Sequence, residues 1–114
     1  MGSCLFCQIV AGDIDADVVR NGELTLAFRD IKPQAPVHIL IIPRQHLASV
    51  AELTEDHSDV LVEIARMAQW IAASEGIADS GYRLVANTGP DGGQTVDHLH
   101  VHLLGGRQMT WPPG

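Results

Sequence analysis

The sequence predicts an α+β fold, with a five-stranded antiparallel sheet, one long helix and a short helix near the N-terminus. Three observations predict it. Two extended runs flank Asn21-Gly22, a dipeptide suited to a tight hairpin because both central residues of such a turn need positive φ. A single long stretch, Thr54 to Glu75, repeats its apolar residues at helical spacing. Strand-like runs lie before and after that stretch instead of alternating with several helices, which speaks against a βαβ repeat.

The elements follow in order. Leu5 to Ala11 is short, apolar and closed by Gly12, which suits one or two helical turns. Asp17 to Arg20 reads as the first strand, and Glu23 to Arg29 as its partner across Asn21-Gly22. Ile31 to Pro36 holds Pro33 and Pro36 and is a loop. Val37 to Ile42 is apolar except for His38 and reads as a buried strand closed by Pro43. Thr54 is the expected N-cap of the long helix, with Glu55 and Asp56 in its first turn. Val60, Leu61, Ile64, Met67, Ala68 and Ile71 form its apolar stripe, and Gly76 is the natural C-cap. His57, in the first turn, reads as solvated. Tyr82 to Asn87 is the fourth strand, Thr88 to Thr95 a glycine-rich loop, and His98 to Leu104 the fifth strand, ended by Gly105-Gly106.

The chain of 114 residues is expected to be a single domain over residues 1–114. Its net charge of −7, from seven basic and fourteen acidic residues, argues against non-specific nucleic-acid binding. It does not exclude a nucleotide, because one phosphate needs only a few local donors. No stretch reaches the roughly 18 apolar residues that span a membrane, and no signal peptide opens the chain. A cytoplasmic protein with reduced thiols is therefore expected. Cys4 and Cys7 are then a metal pair, a redox pair or two core cysteines.

Chemistry concentrates at His98-Leu99-His100-Val101-His102-Leu103-Leu104. In a strand, residues two apart share a face, roughly 6.6–6.8 Å apart. Three imidazoles therefore share one face, with Leu99, Val101 and Leu103 on the other. Half of the six histidines lie in this segment. A solvent-facing strand, a three-histidine metal centre and a catalytic row all fit that pattern. The loop just before it, Gly89-Pro90-Asp91-Gly92-Gly93-Gln94-Thr95, offers close-approaching backbone N–H groups and side-chain donors, a plausible phosphate cradle.

The run His-Leu-His-Val-His-Leu-Leu resembles the signature of the histidine triad (HIT) family. The tail Gly105-Gly106-Arg107-Gln108-Met109-Thr110-Trp111-Pro112-Pro113-Gly114 resembles that of its Hint branch. So do Phe28 to His38 and Asp91 to Val96, and the likeness runs from about Phe6 to Gly114. The resemblance implies hydrolysis of purine nucleoside 5′-phosphoramidates through a nucleotidyl-histidine. His100 is then the nucleophile, and His102 a donor to a phosphoryl oxygen or the leaving group. His98 completes the triad and His38 supports it. Asp30 would accept from the ribose hydroxyls. Asn87, Gly93, Gln94 and the loop N–H groups would line the phosphate, and Phe6, Ile9, Phe28 and Ile31 the base slot. Thr95 stands where Hint proteins commonly carry a serine that assists leaving-group protonation. A dinucleoside polyphosphate hydrolase and a nucleotide-binding regulatory scaffold are the alternatives; the tail speaks against the first.

Cys4-Leu5-Phe6-Cys7, absent from many Hint proteins, resembles a pattern in bacterial members of the wider family, which implies that Cys4 and Cys7 join His46, of Ile42-Pro43-Arg44-Gln45-His46, and His98 in a closed structural Zn²⁺ set. Catalysis needs no cofactor on this reading. The Hint resemblance also implies a two-fold homodimer. Two sheets would join into one, the long helices would pack together, and Arg107 and Trp111 of the tail would reach toward the partner's active site.

Overall fold

The computed structural model describes residues 4–114, so the first three positions of the expected domain lie outside the described residues. The short helix α1 spans Leu5–Ala11 and the long helix α2 Ser58–Ser74. Five strands, β1 Val18–Asn21, β2 Thr25–Arg29, β3 Val37–Pro43, β4 Tyr82–Val85 and β5 Val101–Gly105, form one sheet in the order β1-β2-β3-β5-β4. Every pairing is antiparallel, as the sequence predicts.

The central strand organises the molecule. All of β3 is buried, and its side chains alternate between two apolar layers. Val37, Ile39 and Ile41 join Ala27, Leu103 and the α2 stripe of Val60, Ile64, Met67, Ala68 and Ile71. Leu40 and Ile42 face the other way, with Leu26, Phe28 and Phe6 of α1. His38 has the parity of Leu40, so it lies on the α1 face. β5 pairs His102 with Leu40, which makes His102 and His38 diagonal neighbours on that face. The fold thereby leaves α2 to cover one side of the sheet and reserves the other for chemistry.

Several element boundaries differ from the sequence-based expectation. The hairpin does not turn at Asn21-Gly22. Asn21 pairs with Leu26, and neither Asn21 nor Gly22 has positive φ. The tip is Glu23-Leu24, closed by the Gly22 N–H donating to the Thr25 carbonyl at 2.9 Å. Glu63 of α2 is the cause: its carboxylate accepts the Leu24 N–H at 2.9 Å and the hydroxyl of buried Thr25. A Cβ on Gly22 would lie 2.5 Å from Glu63 Oε2, so this glycine makes room for a carboxylate. β2 therefore starts at Thr25, not Glu23.

The long helix begins with a 3-10 turn, Glu55–His57, capped by Thr54 as expected. His57 is not merely solvated: its Nδ1 accepts the Thr54 N–H at 2.9 Å and completes a capping box. Beyond α2, Gly76 takes φ +75°. β4 ends at Val85, short of Asn87, and β5 begins only at Val101. Ile41 opposite Val101 is the last pair of the β3–β5 ladder, although β3 itself runs on through Ile42 and Pro43. The Leu99 N–H goes to the Leu47 carbonyl instead, at 2.6 Å.

Candidate active site and metal cluster

The three imidazoles share the α1 side of the sheet although only His102 lies in β5. Phe6 explains the continuity, packing edge-on against His98 at 5.8 Å and His100 at 5.2 Å between ring centroids. Leu99 and Leu103 are buried on the opposite side.

Hydrogen bonds give each ring a direction. His100 Nδ1 lies 2.7 Å from the carbonyl of His98, an acceptor only, so Nδ1 carries the proton and donates. Neutral His100 is left with a lone pair on Nε2, the atom a nucleophile needs. His38 is fixed from the other end. Its Nδ1 accepts the Gln34 N–H at 3.0 Å, which puts its proton on Nε2. That nitrogen is 2.9 Å from His102 Nδ1 and donates to it. His102 therefore carries its own proton on Nε2. The row presents one imidazole acceptor and one imidazole donor side by side, with the two rings 5.0 Å apart.

Burial favours the neutral form of His102 and His38. Desolvation, followed by neighbouring His100 and His38, pushes His102 down to about 4. Desolvation also lowers His38, against the pull of Asp30, whose Oδ2 is 3.5 Å from His38 Nε2. Asp30, His38 and His102 converge enough to suggest a second metal group. The 2.9 Å between the two ring nitrogens is instead a hydrogen bond, shorter than the N···N edge of about 3.3 Å around a tetrahedral zinc.

A cleft of about 420 Å³ opens over His100 and His102. Phe6, Ile9, Phe28, Asp30, Ile31 and Thr95, to which the resemblance assigns roles, all line it. Phe6 and Phe28 are also core, whereas Ile31, 93% exposed, is an apolar rim. Asp30 Oδ1 already accepts the Lys32 N–H at 2.8 Å, which holds the carboxylate at the cleft wall. Ile14, Asp15, Ala16 and Asp17 also line it and escaped sequence reasoning, because the chain after α1 carries no motif.

Three expected phosphate contacts are not brought to this cleft. Asn87 and Gly93 lie outside its lining. Gln94 is spent inside its own loop: Oε1 accepts the Gly89 N–H at 3.0 Å, and Nε2 donates to the carbonyls of Ala48 and Val96. It braces the loop against the chain after β3 instead of offering a side-chain donor to a ligand.

The triad's first ring belongs to a different group. His98 Nε2 donates to the Pro43 carbonyl at 2.8 Å, leaving Nδ1 as a lone-pair donor. This Nδ1 faces Cys4 Sγ at 3.4 Å and Cys7 Sγ at 3.6 Å. His46 Nδ1 lies 3.2 Å from Cys7 Sγ. All four ligand atoms fall within 4.8 Å of one another. Bonds of about 2.3 Å to sulfur and about 2.0–2.1 Å to nitrogen give tetrahedral S···N edges of about 3.6 Å. The observed separations are close to those edges, so the residues fit a four-coordinate zinc. Burial lowers His98, keeping it in the neutral form a metal needs. The Pro43 carbonyl supplies the outer hydrogen bond that orients a metal-binding imidazole. The sulfur of Cys4 also accepts the Cys7 N–H at the start of α1.

The model of the HIT domain family matches residues 11–109. The chain is 51% identical over 112 residues to a 14 kDa zinc-binding protein of Zea mays, covering 96% of this chain and 87% of that protein. It is 48% identical over 112 residues to the adenylylsulfatase HINT1 of Arabidopsis thaliana, covering 96% and 76%. Its fold superposes on the crystal structure of a HIT family hydrolase from Legionella pneumophila with a TM-score of 0.96, at 54% identity over 98% of this chain and all of that one. Sequence and overall fold agree in these likenesses, and the chain belongs to the HIT family, in its Hint branch.

Proposed function

We propose that this protein hydrolyses purine nucleoside 5′-phosphoramidates, of the adenosine 5′-monophosphoramidate type, through a nucleotidyl intermediate on His100. The observation that carries the reading is the pairing of an unprotonated His100 Nε2 with a protonated His102 Nε2 in one cleft. In the first step the His100 lone pair attacks the α-phosphorus and the phosphorus–nitrogen bond breaks. The departing nitrogen takes a proton from solvent through the Thr95 hydroxyl at the cleft wall. His102 donates its Nε2–H to a phosphoryl oxygen, where charge develops. The His98 carbonyl holds the His100 Nδ1 proton as that ring becomes cationic. In the second step water attacks phosphorus, the bond to Nε2 breaks, and the water's proton returns to solvent. Splitting the displacement in two lowers each barrier.

Asp30 binds the ribose hydroxyls, and Phe6, Ile9, Phe28 and Ile31 hold the purine. Cys4, Cys7, His46 and His98 hold one structural zinc ion, which fixes α1 and the residues before β5 and takes no part in the chemistry. A two-fold homodimer in the cytoplasm completes the reading. It is supported by β4 at the sheet edge and by exposed Leu61, Val62 and Trp70 on α2. The name of the Arabidopsis relative supports a second leaving group, sulfate, at the same phosphorus.

The test is steady-state turnover of an adenosine 5′-phosphoramidate bearing a fluorescent amine, beside adenylyl sulfate and a diadenosine polyphosphate. The phosphoramidate is expected to have the highest kcat/KM. A higher value for either competitor overturns the substrate class.

A further inference from the structure

The direction of the His38–His102 hydrogen bond is not set by the two rings. Each imidazole has one donor and one acceptor nitrogen when neutral, and either order satisfies the pair. The choice is made by the Gln34 N–H, which can only donate, at 3.0 Å from His38 Nδ1. If this donor moved away, His38 could carry its proton on Nδ1. Its Nε2 would then accept from His102 Nδ1–H, and His102 would turn a lone pair toward a phosphoryl oxygen. Asp30 Oδ2, at 3.5 Å from His38 Nε2, favours the observed order because a carboxylate only accepts.

The Gln34 loop is held from outside the cleft. Arg107, two residues beyond β5, donates to the Gln34 carbonyl from Nε at 3.3 Å and from Nη2 at 3.1 Å. Its Nη1 donates to the Gln108 carbonyl at 3.2 Å, which fixes the guanidinium's other edge. Gly106 adds a steric support. It takes φ +88°, and a Cβ there would lie 2.9 Å from Pro36 Cβ. The chain leaving β5 thus packs on the Gln34–Pro36 loop at two points, and Arg107 is not among the cleft's lining residues.

We propose that Arg107 is a positioning residue which, by clamping the Gln34 backbone at its carbonyl, keeps the His38–His102 hydrogen bond pointing toward His102 and so keeps a proton on the His102 nitrogen that faces substrate. This rests on the reading of His102 as donor to the phosphoryl group. It also gives Arg107 a task within its own chain, beside the expected reach of the tail toward a partner.

Ring-nitrogen NMR of the ¹⁵N-labelled protein, without substrate, reads the tautomers directly. Wild type is expected to show His38 and His102 protonated on Nε2. Gln34→Ala, which keeps the peptide N–H, should show the same. Gln34→Pro, which removes it, should move both protons to Nδ1. Arg107→Ala should give a mixture of the two forms and lower kcat on the phosphoramidate by about 10-fold, the scale of a partly lost proton donor, with little change in KM. Arg107→Lys should recover part of both effects. Unchanged tautomers in Arg107→Ala overturn the proposal, whether or not kcat falls, and so does a Gln34→Pro protein that keeps the Nε2 protons. A wrong substrate class leaves these spectra untouched, so the two failures are distinguishable.

Discussion

At the scale of single residues, the site works by giving neutral imidazoles fixed directions. Among the described residues, every buried side-chain nitrogen and oxygen has a hydrogen-bond partner, and each triad ring has a backbone or ring partner that decides where its proton sits. That arrangement has a pH signature. His102 titrates near 4 and His38 below its ordinary value, chiefly because burial penalises the charged form, with Asp30 and His100 as the facing titratable groups. Folded values below the unfolded ones mean that protons bind the unfolded chain more tightly. Stability is therefore full above about pH 6.5 and is lost as pH falls toward about 4. At about 1.4 kcal/mol per pKa unit, and discounting for partial exposure, the His102 share is on the order of 2 kcal/mol. Urea midpoints from pH 7.5 to 4.5 check this: His102→Gln should lose less stability than wild type, and parallel curves would contradict it. The histidine row was legible in the sequence because three imidazoles alternating along one strand are unusual, whereas Asp30 and the apolar wall were assigned by resemblance alone. The Gln34 N–H and the His98 and Pro43 carbonyls were not legible, since every residue carries those groups and only the fold selects which ones matter. Gln94 was misread because a carboxamide serves equally well as a loop brace or a ligand donor.

At the scale of elements, α1 is the piece whose placement depends most on chemistry. It is one short helix of seven residues, buries only Phe6, and carries Leu5, Phe6 and Ile9 to the cleft wall. Helices of this length are marginal on their own. Cys4 and Cys7 at its start, meeting His46 and His98, hold it against the residues leading into β5. Purified protein is expected to carry about one zinc per chain, and a Cys4→Ser/Cys7→Ser double variant none. The variant's thermal midpoint should fall by upward of about 5 °C, equal to about 1 kcal/mol at this chain length. Elemental analysis with calorimetry decides it, and equal zinc in both proteins would move the metal elsewhere. The cysteine spacing was readable, but its convergence with two histidines far along the chain came from resemblance alone. The hairpin was misread for a related reason. Asn21-Gly22 has the local chemistry of a turn, but Glu63, forty residues on, moves the tip to Glu23-Leu24. Tertiary contact overrode local preference there, and again before β5, where the Leu99 N–H bonds to the Leu47 carbonyl and the ladder starts only at Val101.

At the scale of the whole molecule, one sheet serves two purposes. Its α2 face is an apolar layer that supplies the stability, and its α1 face gathers His102 from β5 and His100 just before β5 into one cleft, with His38 of β3 hydrogen-bonded to His102. The α+β class and the strand and helix content were legible because patterns of period two and 3.6 report burial directly. The order β1-β2-β3-β5-β4 could not be read that way: placing β5 between β3 and β4 is a long-range choice that leaves little local trace. That choice is what brings the histidine row beside His38, and it converges on a single atom, His100 Nε2. Rapid quench with an adenosine phosphoramidate labelled at phosphorus, followed by mass spectrometry of the digested protein, tests that convergence. Wild type should carry nucleotide on the peptide containing His100, and His100→Ala should carry none while still binding adenosine monophosphate. Equal labelling of the two proteins, or nucleotide trapped on another residue, would contradict it.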